Sequence, residues 1–290
     1  MEQGVTAFKS FTPHSRVHLL CGKFKLDLSH PLIMGIVNVT PDSFSDGGLH
    51  ATAGAAIAHG LRLIDEGADL VDVGGESTRP GSLPVPLDEE LKRVLPVIEG
   101  LKHADVPLSV DTQKPEVMRE ALCAGASMIN DVNALLATGA LQVVANSDAA
   151  ICMMHKRGEP LTMQVNPQYQ NVVSEIKSFL GSRVEAALAA GIARERIVVD
   201  PGFGFGKTME HNLALLRKLD QFTELGAALL VGLSRKSILG KIAGKQTGER
   251  IYSSMAIALI AVMKGAKIVR VHDVAATRDA LAVYNAVNAE

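Results

Sequence analysis

Eight short aliphatic runs punctuate this chain, at residues 33–39, 70–73, 108–110, 128–129, 150–154, 197–199, 229–231 and 268–271. They are continuous rather than alternating, as expected of strands covered on both faces, and Ala/Leu/Glu-rich helical segments separate them. An internal echo strengthens the pattern: Gly67-Ala68-Asp69-Leu70-Val71, Gly125-Ala126-Ser127-Met128-Ile129, Gly226-Ala227-Ala228-Leu229-Leu230 and Gly265-Ala266-Lys267-Ile268-Val269 share a Gly-Ala-x-apolar-apolar form. Each Gly is placed to end a helix before the next strand. Eight βα units in about 250 residues point to an α/β fold, a closed (β/α)8 barrel. Residues 1–30 form an N-terminal extension over its bottom, and residues 31–290 a single barrel domain. An open doubly wound sheet is the alternative.

Between the runs, Leu91, Val94, Leu95, Ile98 and Leu101 give one apolar helical face behind an N-cap candidate at Asp88, and Pro115 suits the first turn of a helix after Thr112. Pro96, inside the first of these helices, predicts a kink or an early break. At 290 residues and 47% hydrophobic the chain can bury a large core, and 4% aromatics with no Trp make that core one of Ala, Val, Leu and Ile. A net charge of −2 and the absence of long Lys/Arg runs exclude a nucleic-acid surface or a polybasic membrane patch, so any basic site is local. Cys21, Cys123 and Cys152 are odd in number and lack a C-x-x-C pair, which fits a reducing cytoplasm. The strongest apolar run, 255–263, is too short to span a bilayer, so a soluble, untargeted protein is expected.

Barrel active sites lie at the C-terminal ends of the strands. Here those ends are Asn38, the group Glu76-Ser77-Thr78-Arg79, Asp111, Asn130-Asp131, His155, Asp200, Ser234-Arg235-Lys236-Ser237, and Arg270 with His272. Any one of them could be an ordinary turn former or helix cap. Eight together ask for a ligand, because packed interiors rarely accept so many charged and amide groups. Ser234-Arg235-Lys236-Ser237 sets two cations and two hydroxyls together, a site for an anion. Asp111, Asn130, Asp200 and Lys236 offer donors and acceptors that could read the edge of a flat nitrogen heterocycle. Arg79, Arg270 and His272, with Thr78 and Asn38, suit phosphate oxygens. Asn38 is neutral, so a metal there is Mg²⁺ held mostly by water and phosphate.

Two connections, 40–48 and 79–86, are long and mix Gly and Pro hinges with reactive side chains, as lids do. Gly202-Phe203-Gly204-Phe205-Gly206-Lys207-Thr208 lacks the spacing of a phosphate loop and reads instead as a tight turn on which Phe205 can stack against a planar ligand. Of Met153 and Met154, at least one belongs to the core.

From about Pro31 onward the chain resembles the dihydropteroate synthase family. The likeness rests on residues 34–48 (MGIVNVTPDSFSDGG), Asp72 to Gly81 (DVGGESTRPG), 200–207, 234–237, and Arg270-Val271-His272-Asp273. It implies a TIM barrel, a transferase joining para-aminobenzoate to hydroxymethyl-dihydropterin pyrophosphate in folate synthesis, a sulfonamide target class, Mg²⁺ dependence and a homodimer. By the same likeness Asp111, Asn130, Asp200 and Lys236 hold the pterin, with Met154, Phe205 and Gly232 around its ring. Asn38 meets Mg²⁺, and Thr78, Arg270 and His272 meet the diphosphate. Phe44, Asp46, Arg79 and Pro80 belong to the closing loops, and Asp46 is placed to stabilise a methylene cation or the incoming amine. Lys236, Ser237, Arg235 and a helix N-terminus receive the aminobenzoate. Folate-dependent methyltransferases share the pterin logic but need no diphosphate clamp.

Overall fold

The computed structural model describes residues 18–39, 49–79 and 81–289. Eight parallel strands, β3 (Leu32–Asn38), β4 (Leu70–Gly74), β5 (Leu108–Asp111), β6 (Met128–Asp131), β7 (Ala150–Met154), β8 (Ile197–Asp200), β9 (Ala228–Val231) and β10 (Ile268–Val271), close into a barrel. Closure is explicit, since β10 pairs with both β9 and β3, and it excludes the open sheet. Outside the strands lie α1 (Leu49–Asp65), α2 (Leu87–Leu101), α3 (Pro115–Ala124), α4 (Ala140–Ala145), α5 (Val172–Ala189), α6 (Met209–Arg217), α7 (Ser237–Ala243), α8 (Ile251–Met263) and α9 (Val274–Asn288). All eight aliphatic runs are strands, each within a residue or two of its expected bounds. Gly67, Gly125, Gly226 and Gly265 of the echoed motif all have positive φ just before a strand, as helix-ending glycines should.

Strand side chains alternate between two cores. Ile33, Val37, Val71, Val73, Val110, Ile129, Met153, Val199 and Val269 pack outward against the helices. Leu32, Met34, Leu70, Met128, Ala150, Cys152, Val198, Leu230 and Ile268 point inward and fill the lower half of the barrel. That parity leaves Asp72, Asp111, Asn130, Met154, Asp200 and Arg270 as the next inward positions, two residues further up.

The bottom of the barrel is stopped by an antiparallel hairpin, β1 (His18–Cys21) and β2 (Phe24–Asp27), whose Leu19 and Cys21, with Leu28 just beyond, join the inner core. Gly22 makes its tight turn at φ +56°, and a Cβ there would fall 3.0 Å from the Ser127 Cβ. Its amide donates to the Asp148 carbonyl at 3.1 Å, and the Cys21 thiol to the Ser127 carbonyl at 3.1 Å.

The structure corrects the expected cap of α2 and the expected early break. Asp88 is not the N-cap of α2; Pro86 is, and Asp88, Glu89 and Glu90 fill the first turn, where carboxylates face the positive end of the helix. Nor does Pro96 break α2, which runs on to Leu101. Pro96 lies on the solvent side, where water can take the carbonyl it leaves unbonded, while buried Val94, Val97, Ile98 and Leu101 hold the opposite face.

Leu19→Ala should cost about 2–5 kcal/mol in urea denaturation because it hollows the stopper, whereas Leu83→Ala should change stability by less than about 0.5 kcal/mol. Leu83 is 71% exposed. Equal losses would mean that the hairpin does not seal the barrel.

Candidate functional site

The crown follows from strand register. Gly74 pairs with Asp111, Asp111 with Asn130, and Met154 with Asp200, so adjacent strands present these groups side by side at one rim. Across the mouth Arg270 donates from Nε to Asp72 Oδ2 at 2.6 Å and from Nη2 to Asp111 Oδ2 at 3.1 Å. Asn130 Nδ2 also donates to Asp72 Oδ2, at 2.9 Å. The glycines beside these groups stand at ordinary packing distance from them. A Cβ on Gly74 would lie 3.5 Å from the Asp111 Cβ, and one on Gly232 would lie 3.7 Å from that of Arg270.

Lys236 enters from the loop after β9, its stem along Gly204, its Nζ 4.4 Å above the centre of the Phe205 ring and bonded to the Phe203 carbonyl. Burial pulls its pKa down to about 8, with Asp200 opposing. Asp200 is held by the Gly202 amide at 2.7 Å; burial raises its pKa, and Lys236 works against that rise. Burial pushes Asp111 up to about 7, opposed by Arg270 and reinforced by Asp72, Asp131 and Glu90. One guanidinium facing two buried carboxylates leaves an excess negative charge, which a retained proton relieves.

The imidazole of His272 has Nδ1 3.0 Å from Ser234 Oγ. Burial, then the charges of Arg270 and Arg235, drop its pKa to about 3, and Asp273 and Arg79 modify it further. His272 is therefore neutral near pH 7. It shares a cavity of about 470 Å³ with Asn38, Ile36, Ala55, Ala58, His59 and Arg62. That cavity opens on the α1 side of β3, beside the crown rather than within it.

Several expected groupings come apart. Asn130 points inward, whereas its neighbour Asp131 points outward and accepts the amides of Asn133 and Leu135 at 2.7 Å each, an ordinary turn role. His155 likewise follows inward Met154 and turns away from the mouth, packing edge-on to Phe179 at 5.0 Å. Glu76 turns to Lys114, which also holds the fully buried Glu90. The two cations of Ser234-Arg235-Lys236-Ser237 do not form a joint anion site. Arg235 bonds to Asp273 while Lys236 points at Phe203 and Phe205, because Arg235 takes a left-handed turn at φ +56°. Ser237 is exposed at the start of α7, Thr78 is half-buried and Arg79 is exposed. Phe44, Asp46 and Pro80 lie outside the described residues.

Asp72 is missing from the residues expected to form the site. Its signal was available: it shares parity with Leu70 and Gly74 in an otherwise aliphatic strand, so its carboxylate had to face the barrel interior.

The pKa shift of Asp111 carries a sign. A carboxyl raised on folding stabilises the fold while protonated; the contribution is complete below the unfolded pKa of about 4 and fades as pH rises through about 7. His59, His155 and His272 act oppositely, because burial depresses their folded values, and all three are present in wild type and variant alike. The stability of wild type minus that of Asp111→Asn should therefore fall between pH 4 and 7 in urea titrations. A flat or rising difference would contradict the assignment.

Residues 34–272 match the family model of pterin binding enzymes. A dihydropteroate synthase of Escherichia coli K12 is 48% identical over 262 residues, covering 90% of this chain and 93% of its own. A solved structure of Xanthomonas albilineans dihydropteroate synthase with 4-aminobenzoic acid superposes with a TM-score of 0.90 at 52% identity, over 95% of this chain and 100% of that one. Another from the same organism, in complex with 7,8-dihydropteroate, gives 0.86 at 50% identity, over 94% and 99%.

Proposed function

This chain belongs to the dihydropteroate synthase family of pterin binding enzymes, and from that premise we propose how its own residues carry out the transfer. It is a transferase of this type, joining para-aminobenzoate to hydroxymethyl-dihydropterin pyrophosphate and releasing pyrophosphate. The observation that carries the assignment of residues is the pairing crown. Asp111, Asn130, Asp200 and Lys236 offer acceptors and donors around one mouth, and Arg270 crosses its floor. A heterocycle with alternating ring N–H and lone-pair positions satisfies such a set, whereas an analogue without them leaves buried polar groups unpaired.

The bond between the pterin methylene and the diphosphate oxygen breaks, the electron pair leaving with the diphosphate, and the aryl nitrogen forms the new C–N bond and then loses a proton. The electron-rich pterin carries the transient positive charge on the methylene, so no protein nucleophile is needed. Arg270 engages Asp72 and Asp111 through Nε and Nη2, which leaves Nη1 to face departing phosphate oxygens. His272, neutral and lining the same cavity as Asn38, offers a hydrogen bond rather than a charge, and Thr78 would add its hydroxyl. Lys236 and Ser237 would receive the aminobenzoate carboxylate. Catalysis then rests on alignment and on charge stabilisation in a mouth shielded from water.

Among the described residues no three His, Cys, Asp or Glu side chains form a metal-holding group. The donor set at the rim suits Mg²⁺ all the same, since that ion takes one or two protein oxygens and fills the rest with phosphate and water. Asn38 would supply the protein oxygen, and the ion would neutralise diphosphate charge.

No helix among the described residues is long and apolar enough to cross a membrane. The outer faces of α8 and α9 nevertheless expose Tyr252 at 76%, Met263 at 67%, Val283 at 65% and Val287 at 77%. We propose that a second copy covers this face, giving a homodimer. Light scattering should report twice the chain mass, and Met263→Lys with Val287→Lys should halve it; a monomeric wild type at micromolar concentration would refute the dimer.

The assay combines purified protein, the pterin diphosphate, Mg²⁺ and labelled para-aminobenzoate. Condensed product should form, chelation by EDTA should suppress it, and Arg270→Ala should lower turnover by about 10²-fold or more. An Arg270→Ala enzyme within a few-fold of wild type would rule out the clamp.

A further inference from the structure

The turn after β8, residues 201–207, has a hydrogen-bond donor on every carbonyl from Gly202 to Lys207. Phe203 O accepts from Lys236, Gly204 O from Gln164, Gly206 O from the Tyr169 hydroxyl at 3.0 Å, and Lys207 O from Asn212 at 3.3 Å. The remaining two, Gly202 O at 2.8 Å and Phe205 O at 3.0 Å, accept from one group, the ammonium of Lys207. That ammonium also lies 3.2 Å from His155 O and 3.0 Å from His155 Nδ1.

Lys207 is 3% exposed, and no carboxylate among the described residues lies within ion-pair distance of it. A buried lysine without a counter-ion is rare, and here the cage of carbonyl dipoles takes that place. Burial pulls its pKa well down, with Asp200 opposing. Three carbonyl oxygens, those of His155, Gly202 and Phe205, nevertheless match the three hydrogens of an ammonium, and they favour that form. The backbone approaches this closely only because residues 202 and 206 are glycines. A Cβ on Gly202 would fall 1.9 Å from His155 O, and one on Gly206 2.2 Å from Arg157 O.

Everything this turn shows to the barrel mouth belongs to the pocket: the Phe205 ring, the Phe203 carbonyl that holds Lys236, and the Gly202 amide that holds Asp200. We propose that Lys207 is a positioning residue for the pterin pocket: its carbonyl-caged ammonium fixes the turn that sets Phe205, Lys236 and Asp200 in place. The proposal rests on the dihydropteroate synthase reading and adds a residue that does not touch substrate. Its charge also acts on Asp200, lowering the pKa that burial raises, after the larger effects of Lys236 and the Gly202 amide.

The test compares wild type, Lys207→Met and Tyr169→Phe in the condensation assay and in calorimetric binding of hydroxymethyl-dihydropterin pyrophosphate. Lys207→Met should raise KM and Kd for the pterin about tenfold or more while kcat falls less than about threefold, the pattern of lost uniform binding. The acid limb of kcat/KM should also move to higher pH, because Asp200 loses a nearby cation. Tyr169→Phe, which keeps the ring and frees one carbonyl, should raise both constants about two- to threefold, and it decides the matter if Lys207→Met does not fold. Unchanged pterin constants in the folded variants, or a lower Tm with KM and the acid limb unmoved, would overturn the proposal. Wild-type protein that yields no product would instead overturn the activity reading, and the calorimetric comparison would still decide the role of Lys207.

Discussion

One guanidinium holds the mouth of this barrel together. Arg270 reaches from β10 to carboxylates on β4 and β5, two strands that are separated from it in the barrel by β3 alone and by β3 and β4. Two carboxylates in a water-poor interior repel each other and lose hydration, and an isolated one would neutralise rather than remain buried. With Arg270 between them they stay in place, and Asn130 completes the link to β6 through Asp72. Removing one member of such a group leaves the others uncompensated, which costs more than the pair itself contributes.

The barrel makes this arrangement affordable by dividing its interior. Below the crown the inward positions are aliphatic or sulfur-bearing, and the hairpin closes that end, so the polar groups gather where one layer meets solvent and ligand. Asp72 Oδ1 and Ser109 Oγ, at the boundary between the layers, have no partner among the described atoms. Above them, rigid strands carry the pairing groups. The turn after β8 carries the aromatic face, with each carbonyl from Gly202 to Lys207 bonded. Geometry of this kind favours a ligand recognised by its hydrogen-bonding edge and reacted by alignment, with Arg270, His272 and Asn38 beside it as the groups proposed to meet phosphate.

Much of this was legible in the sequence because strand periodicity survives translation into three dimensions. Continuous aliphatic runs gave the strands, the Gly-Ala echo gave the turns before them, and the residue closing each run gave most of the crown. What escaped depends on a parity of one residue or on a turn. Asn130 and Asp131 are adjacent in the chain and face opposite sides; so do Met154 and His155. Arg235 and Lys236 diverge because one residue adopts positive φ, which no composition signals. Asp72 was hidden by position, inside a run instead of at its end. Of the kink or early break expected at Pro96, the break does not occur, since a helix anchored on one face tolerates a proline on the other. Lys207 could not be read as structural support, because the carbonyls that cage it come from its own turn and from His155, 52 residues earlier in the chain.

A crystal structure of this protein with bound 7,8-dihydropteroate tests the central claim most directly. The account places the pterin ring within hydrogen-bonding distance of Asp111, Asn130, Asp200 and Lys236, with Phe205 beside it and Arg270 still bridging Asp72 and Asp111 beneath. A ligand seated elsewhere, or a crown in which Arg270 has let go of both carboxylates while the ring binds without touching them, would contradict it.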